Sequence, residues 1–87
     1  MTLSNAIRRL FDLFRPLREK LYPIQRDFAL KAGLTQNRYS LIETSAANCE
    51  MTTYLRICIH QEVKPWVLME MALGEIWDEV CDRELNS

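Results

Sequence analysis

Polar side chains that could recognise a partner are concentrated in one short stretch of the chain. The stretch contains Gln36, Asn37, Arg38 and Ser40. Glutamine and asparagine can each form two hydrogen bonds with adenine, and arginine can bind guanine or a phosphate. Side chains of these types therefore suit the reading of base edges in a DNA groove. They could also be ordinary polar residues on an exposed helix.

Residues that could catalyse a reaction or bind a metal have no comparable arrangement. Cys58 and His60 are two residues apart and Cys49 precedes Cys58 by nine, which does not match the ligand spacing of a zinc site. The sequence has a single histidine and lacks a glycine-rich phosphate loop, an HExxH motif and paired carboxylates. We therefore predict no enzymatic activity, no cofactor and no metal site.

The composition indicates one small helical domain. The chain has 87 residues, 48% of them hydrophobic and 26% charged, and only 2 glycines and 3 prolines. No apolar run approaches the roughly 18 residues that span a bilayer, and the N-terminus lacks the pattern of a signal peptide. Three cysteines are an odd number, which favours reduced thiols. We expect a single domain over residues 1–87, all-α, in the cytoplasm and outside any membrane.

The charge is distributed unevenly although the net charge is only −1. Residues 1–35 hold seven cations against three acids, a net charge of +4, whereas residues 64–87 hold two cations against six acids, a net charge of −4. One end could therefore contact phosphate while the other would avoid it. Alternatively, both ends are simply solvated helix faces.

Apolar spacing, together with the positions of proline and glycine, predicts five or six helices. Their expected ranges are about 4–14, 16–21, 24–31, 36–43, 51–58 and 65–84, with Ser4 as the first N-cap. The first two could instead form one helix kinked at Pro16. Residues 55–60 also alternate like a strand, but no partner strand is evident, so we predict a helix whose inner face carries Met51, Tyr54, Leu55 and Cys58.

A tight turn is expected between the third and fourth helices. Gly33 suits the left-handed conformation that ends a helix, and Thr35 suits the N-cap of the next. Tyr39 and Ile42, three residues apart, would anchor the fourth helix to the core. The outer side would then carry Gln36, Asn37, Ser40 and Leu41. This layout, over residues 24–43, is a helix-turn-helix.

The segment PIQRDFALKAGLTQNRYSLIE, residues 23–43, resembles the helix-turn-helix of the lambda-repressor-like (Xre-type) regulators. Gln25, Ala29, Gly33 and the pair Ile42-Glu43 have the spacing found in that family. The resemblance covers about residues 17–68, so residues 1–15 form an N-terminal extension and 65–84 a C-terminal helix. The family's usual residues after the recognition helix are replaced here by Ser45, Cys49 and Glu62.

The resemblance implies a sequence-specific, double-stranded DNA-binding transcriptional regulator of bacterial or phage type, expected to act as a repressor. Residues 36–43 would be the recognition helix in the major groove, and Gln25 would lie near a phosphate or brace Gln36. Apart from the resemblance, we expect Arg18 to pair with Glu43 inside the domain, because a carboxylate repels phosphate. The DNA-binding residues expected are Gln25, Arg26, Thr35, Gln36, Asn37, Arg38, Ser40, Leu41, Thr44, Ser45 and Asn48.

The apolar stripe of the last helix has two interpretations. It could close the core, or it could form a homodimer interface. The predicted interface residues are Trp66, Met69, Leu73, Ile76, Trp77 and Val80.

Two alternative functions of the chain, besides that of a repressor, stay open. The chain could be an antitoxin that also binds a toxin, or a protein-interaction module that binds a partner such as an anti-repressor and uses the helix-turn-helix only as a scaffold.

Overall fold

The computed structural model describes residues 1–45 and 49–86, with only the backbone described at Ser45. Over these ranges the chain is all-helical, which confirms the all-α prediction. The helices are α1 (Leu3–Phe11), α2 (Phe14–Leu21), α3 (Gln25–Lys31), α4 (Gln36–Ser45), α5 (Met51–His60), α6 (Pro65–Leu73) and α7 (Trp77–Leu85), with a 3-10 turn, Gly74–Ile76, between the last two.

The N-terminal region forms two separate helices. The cap of α1 is Thr2 rather than the predicted Ser4, because the Thr2 hydroxyl accepts a hydrogen bond from the Asn5 amide at 3.1 Å. Pro16 is the third residue of α2, where its missing N–H group removes no intrahelical hydrogen bond. Residues 16–21 were therefore correctly predicted as helical, but the helix starts two residues earlier.

The fifth helix confirms the choice of helix over strand, although its buried face differs from the prediction. Tyr54, Ile57 and Cys58 are buried, whereas Met51 and Leu55 are exposed. Apolar residues occur on both sides of this helix, so periodicity alone could not identify the side that packs against the core. Ile7, an apolar residue of α1, is likewise exposed.

The single last helix that was predicted is in fact two helices. The chain leaves the α-helical hydrogen-bonding pattern at Gly74, whose φ of −54° and ψ of −48° are ordinary helical values. Glycine weakens a helix interior because it loses the most backbone entropy on folding. A β-carbon at this position would also collide with the Glu70 carboxylate. Helix α6 therefore ends at Leu73, and the acidic α7 begins as a separate helix at Trp77.

Residues of all six helices from α1 to α6 form the main core. A smaller core lies where α1 packs against the 3-10 turn and α7. Phe14, Phe28, Tyr39, Ile42, Ile57 and Leu68 are fully buried in the main core. Ala6 meets Ile76 and Val80 in the smaller core. Helix α1 contributes to both, so it is an integral part of the domain. None of the helices in residues 1–45 and 49–86 has the length and apolar character that a bilayer crossing requires.

Candidate nucleic-acid interface

The turn between α3 and α4 has the geometry that its sequence predicted. Gly33 has a φ of +74°, and its amide donates to the Leu30 carbonyl at 3.1 Å. The Leu34 amide donates to the Ala29 carbonyl at 2.8 Å, which completes a Schellman motif. Thr35 then caps α4, since its hydroxyl accepts from the Arg38 amide at 3.1 Å. A helix-turn-helix is therefore present over residues 25–45.

The inner face of α4 is fixed firmly to the rest of the domain. Tyr39 and Ile42 have no solvent exposure, as predicted. The Tyr39 ring packs against Phe28 of α3 with centroids 5.0 Å apart, and its hydroxyl accepts a hydrogen bond from Gln61 Nε2 at 3.3 Å. These contacts fix the rotation of α4 about its axis, so the opposite face has a defined orientation.

A buried carboxylate completes the anchoring of α4. Glu43 Oε1 accepts a hydrogen bond from Arg18 Nε at 2.8 Å, which confirms the predicted pair. Glu43 Oε2 accepts a hydrogen bond from Gln25 Nε2 at 2.9 Å and lies 3.6 Å from Arg15 Nε. The contact shown for Gln25 is therefore with Glu43 rather than with Gln36. The buried carboxylate is a strong acceptor for this amide, and the bracing of Gln36 by Gln25 stays a prediction.

The ionisation of this cluster follows from its contacts. Burial alone would raise the pKa of the Glu43 carboxyl, but hydrogen bonds from Arg18, Tyr39 and Gln25 and the charge of Arg18 outweigh it, so this pKa is lowered. Burial, then the hydrogen bond to Glu43, raises the pKa of Tyr39 far above its usual range. Glu43 is thus ionised and Tyr39 protonated at neutral pH.

The outer face of α4 carries the side chains expected to contact a partner. Gln36, Asn37 and Leu41 are exposed, and Arg38 and Ser40 are partly buried. Thr44 is exposed, and its hydroxyl donates to the Ser40 carbonyl at 2.8 Å. The structure thus places five of the predicted residues along the outside of one helix and a sixth, Thr44, in its last turn.

The other predicted contact residues are placed differently. Arg26 is exposed in the first turn of α3. Thr35 is exposed, but its hydroxyl is used to cap α4. The side chain of Ser45 and the whole of Asn48 lie outside the described residues. Arg26 therefore belongs to the same helix-turn-helix as the residues of α4. The Thr35 side chain stabilises the start of α4.

Two arginines that the sequence did not single out lie beside the end of α4. Arg8 Nη1 donates to the Thr44 carbonyl at 2.6 Å. Arg8 and Arg15 line an open cleft of about 510 Å³ with Asp12, Glu43 and Thr44. In the sequence, Arg8 appears only as a polar residue opposite the apolar side of α1. That position does not predict that Arg8 contacts α4.

The predicted dimer-interface residues divide into two groups. Trp66 and Trp77 are 67% and 53% exposed, and with the partly buried Met69 and Leu73 they line a groove of about 340 Å³. Ile76 and Val80 are buried against Ala6 within the same chain. Assigning these last two to an interface was wrong, because the smaller core already buries them.

Neither the metal-binding side chains of the described residues nor comparisons with known proteins indicate a further kind of site. In the described part of the chain, no three histidine, cysteine, aspartate or glutamate residues are grouped as a metal site requires. Comparisons of the chain with protein-family models, with curated proteins and with solved structures found no match.

Proposed function

We propose that this chain is a sequence-specific, double-stranded DNA-binding transcriptional regulator of bacterial or phage type, and that it represses by occupying its operator. Helix α4 enters the major groove as the recognition helix. The observation that carries the proposal is the presentation of this helix. Its inner face is fixed by Tyr39, Ile42 and Glu43, while Gln36 and Asn37 are exposed in its first turn. The N-terminal part of a recognition helix is the part that reaches base edges.

The electrostatics of the helix-turn-helix support the same proposal. Glu43 is the one carboxylate of α4, and it is buried against Arg18 rather than directed outward. Arg26 and Arg38 add two positive charges to the helix-turn-helix, and α4 directs no carboxylate outward, which suits phosphate better than the −1 net charge of the chain suggests. Arg8 and Arg15 add two cations beyond the C-terminal end of α4, in a cleft that the carboxylates of Asp12 and Glu43 also line.

Each exposed residue of α4 then has a role that follows from its chemistry. Gln36 and Asn37 are suited to two hydrogen bonds with adenine, and Leu41 is suited to apolar contact with a thymine methyl group. The arginines and Thr44 are suited to phosphate contacts, which position the protein without reading the sequence.

Binding of a random-sequence duplex of about 30 base pairs, followed by fluorescence anisotropy, tests the electrostatic part of the proposal. With about four phosphate contacts, affinity should fall roughly 100-fold between about 50 mM and 200 mM salt. Arg26→Ala should lower the slope of log affinity against log salt by about one. The matched control is Arg83→Ala in α7, which should leave the slope unchanged. Absence of binding at the lower salt concentration would contradict the proposal.

A second candidate function rests on the exposed tryptophans. Trp66 and Trp77 could bind a protein partner, such as a toxin or an anti-repressor, while the helix-turn-helix acts as a scaffold. An interface of this apolar kind would respond little to salt, which distinguishes it from phosphate binding.

A further inference from the structure

Arg56 of α5 reaches the turn of the helix-turn-helix. Its Nη1 atom lies 3.5 Å from the position that a β-carbon on Gly33 would occupy. Gly33 belongs to the turn between α3 and α4, so this contact joins α5 to a segment that only the packing of the helices brings near it. The guanidinium therefore lies against the backbone of the turn, at a residue that has no side chain of its own.

The Arg56 guanidinium is available to a partner outside the domain. The residue is exposed, and within the described part of the chain its side chain forms no ion pair and no hydrogen bond. The positions three and four residues away on α5 carry no acid; they are Thr52, Thr53, Ile59 and His60. The N–H donors of this guanidinium are therefore free to bind an acceptor on another molecule.

The turn that Arg56 contacts leads directly into the first turn of α4. Gly33 precedes the N-cap Thr35 by two residues, and Gln36 and Asn37 follow at once. The major groove of DNA is only about 12 Å wide, and the phosphates of the two strands border it. A cation beside the start of a helix that enters this groove therefore lies near a phosphate.

We propose that Arg56 binds a DNA phosphate beside the start of the recognition helix, so that α5 contacts DNA in addition to α3 and α4. The inference rests on the proposed function and deepens it, because it assigns a backbone contact to a residue outside the helix-turn-helix. A guanidinium can donate two parallel hydrogen bonds to one phosphate. Such a contact positions α4 in the groove without reading the base sequence.

A purely structural role of Arg56 would have different consequences. The stem of an arginine can cover the surface beneath it while the charged end stays in water. Methionine keeps a long stem but has no charge, whereas lysine keeps the charge but cannot form the two parallel hydrogen bonds. Arg56→Met and Arg56→Lys therefore separate phosphate binding from packing against the turn.

Salt-dependent binding of a random-sequence duplex of about 30 base pairs tests the contact. Arg56→Met should lower the slope of log affinity against log salt by about one, and should weaken binding roughly tenfold at about 50 mM salt. Arg56→Lys should keep the wild-type slope because it keeps the charge. Arg83→Met removes an equally exposed arginine from α7, so it is the matched control and should bind like the wild type.

The folding of the variants provides a second readout. Because Arg56 is exposed and unpaired in the described part of the chain, Arg56→Met should keep the helical circular dichroism and the unfolding midpoint of the wild type. Weaker binding together with a lowered midpoint, and with the salt slope of the wild type, would assign Arg56 to packing and overturn the phosphate contact.

Neutral phosphates locate the contact on the DNA. In a duplex enriched by selection, single phosphates are replaced in turn by uncharged methylphosphonates. One replacement should weaken binding of the wild type but not weaken binding of Arg56→Met any further, because the variant has already lost that contact. The absence of any such position would overturn the contact with a defined phosphate.

The wild type separates this inference from the proposed function. A wild type that binds the random duplex with a steep salt dependence, beside an Arg56→Met variant of equal slope, would overturn the Arg56 contact and leave DNA binding in place. A wild type that does not bind at about 50 mM salt would overturn both proposals.

Discussion

Glu43 is the charged residue on which the position of α4 depends most. Its carboxylate is buried, and Arg18 of α2 and Gln25 of α3 both donate hydrogen bonds to it. Arg18 also donates to the carbonyls of Tyr22 and Pro23, so one guanidinium holds the end of α2 and the α2–α3 connection together. Removal of one partner of such a buried pair leaves an uncompensated charge, which is strongly destabilising.

Lowering the pH should reveal how much the ionised Glu43 carboxylate contributes to the free energy of unfolding. Its pKa in the folded chain is lowered below the ordinary value of about 4.3 for glutamate. Its stabilisation is therefore complete above the unfolded-state pKa and is lost as pH falls through the folded-state pKa. Urea unfolding between about pH 7 and pH 3 should show this loss.

The control for the acid dependence is Glu43→Gln. At neutral pH it should be less stable than the wild type by about 3 kcal/mol, because Arg18 then stays buried without its counter-charge. Below about pH 4.3 its stability should fall less steeply than that of the wild type. An identical pH slope in the two proteins would show that Glu43 is not the titrating group.

Gln36 and Asn37 should determine base preference without supporting the fold. Both are exposed, so Gln36→Ala and Asn37→Ala should keep the helical content and the unfolding midpoint close to those of the wild type. Each should lower discrimination between preferred and altered duplexes by about 1–3 kcal/mol. Asn86→Ala, at the end of α7, is the control for loss of an amide. Unchanged preference in both α4 variants would contradict the assignment of the recognition helix.

Local chemistry made several single residues predictable from the sequence. Gly33 and Thr35 fulfil conformational requirements of the turn itself, and Tyr39 and Ile42 follow helical periodicity. The hydrogen bond of Arg8 to Thr44 was not predictable, because it joins residues 36 positions apart and depends on how α1 crosses α4.

Two helices of the domain end in the same type of turn, with different residues at its left-handed position. Gly33 follows α3, and Glu62, with a φ of +57°, follows α5. After α5, the Val63 amide donates to the Cys58 carbonyl at 3.0 Å, as expected for a Schellman motif. Left-handed backbone costs a non-glycine residue roughly 1–2 kcal/mol.

Glu62→Gly should therefore stabilise the domain by about 1 kcal/mol, part of the relief being offset by the greater entropy of glycine in the unfolded chain. Chemical denaturation at neutral pH would measure the change. Glu62→Ala removes the charge but keeps the strained backbone, so it should remain within about 0.5 kcal/mol of the wild type. Equal stabilisation by both substitutions would assign the effect to charge instead.

Helix boundaries were predictable where a proline or a glycine marked them clearly. They were not predictable where a continuous apolar pattern ran across the boundary. Pro23 and Gly33 correctly marked the two boundaries of α3, whereas α1 and α2 separate at residues 12–13 rather than at Pro16. In α6 and α7 a continuous apolar pattern suggested one helix, but Gly74 and the packing of Ile76 and Val80 against Ala6 produce a 3-10 turn. Apolar periodicity along one segment does not indicate which distant residues that segment contacts. The end of α6 could therefore not be located from the sequence.

At the scale of the whole molecule, the two ends of the chain differ in charge, with a net charge of +4 over residues 1–35 and −4 over residues 64–87. Arg8 and Arg15 lie beside the end of α4 and Arg26 lies in the first turn of α3, whereas four of the six acids of residues 64–87 lie on α7. Composition and periodicity were sufficient to predict an all-α domain, because glycine and proline are few and apolar residues recur at helical spacing along most of the chain. They could not show that α1 joins both cores, since that depends on packing between distant segments.

The most direct test of DNA recognition is selection of bound duplexes from a randomised pool, sequenced after selection at about 50 mM and 200 mM salt. A regulator that reads DNA through α4 should enrich the same motif at both concentrations. A dimer should enrich it as an inverted repeat with half-site centres about 10 base pairs, or a multiple of this, apart. No enriched motif at either concentration, with retention lost at the higher one, would contradict sequence-specific recognition by this chain.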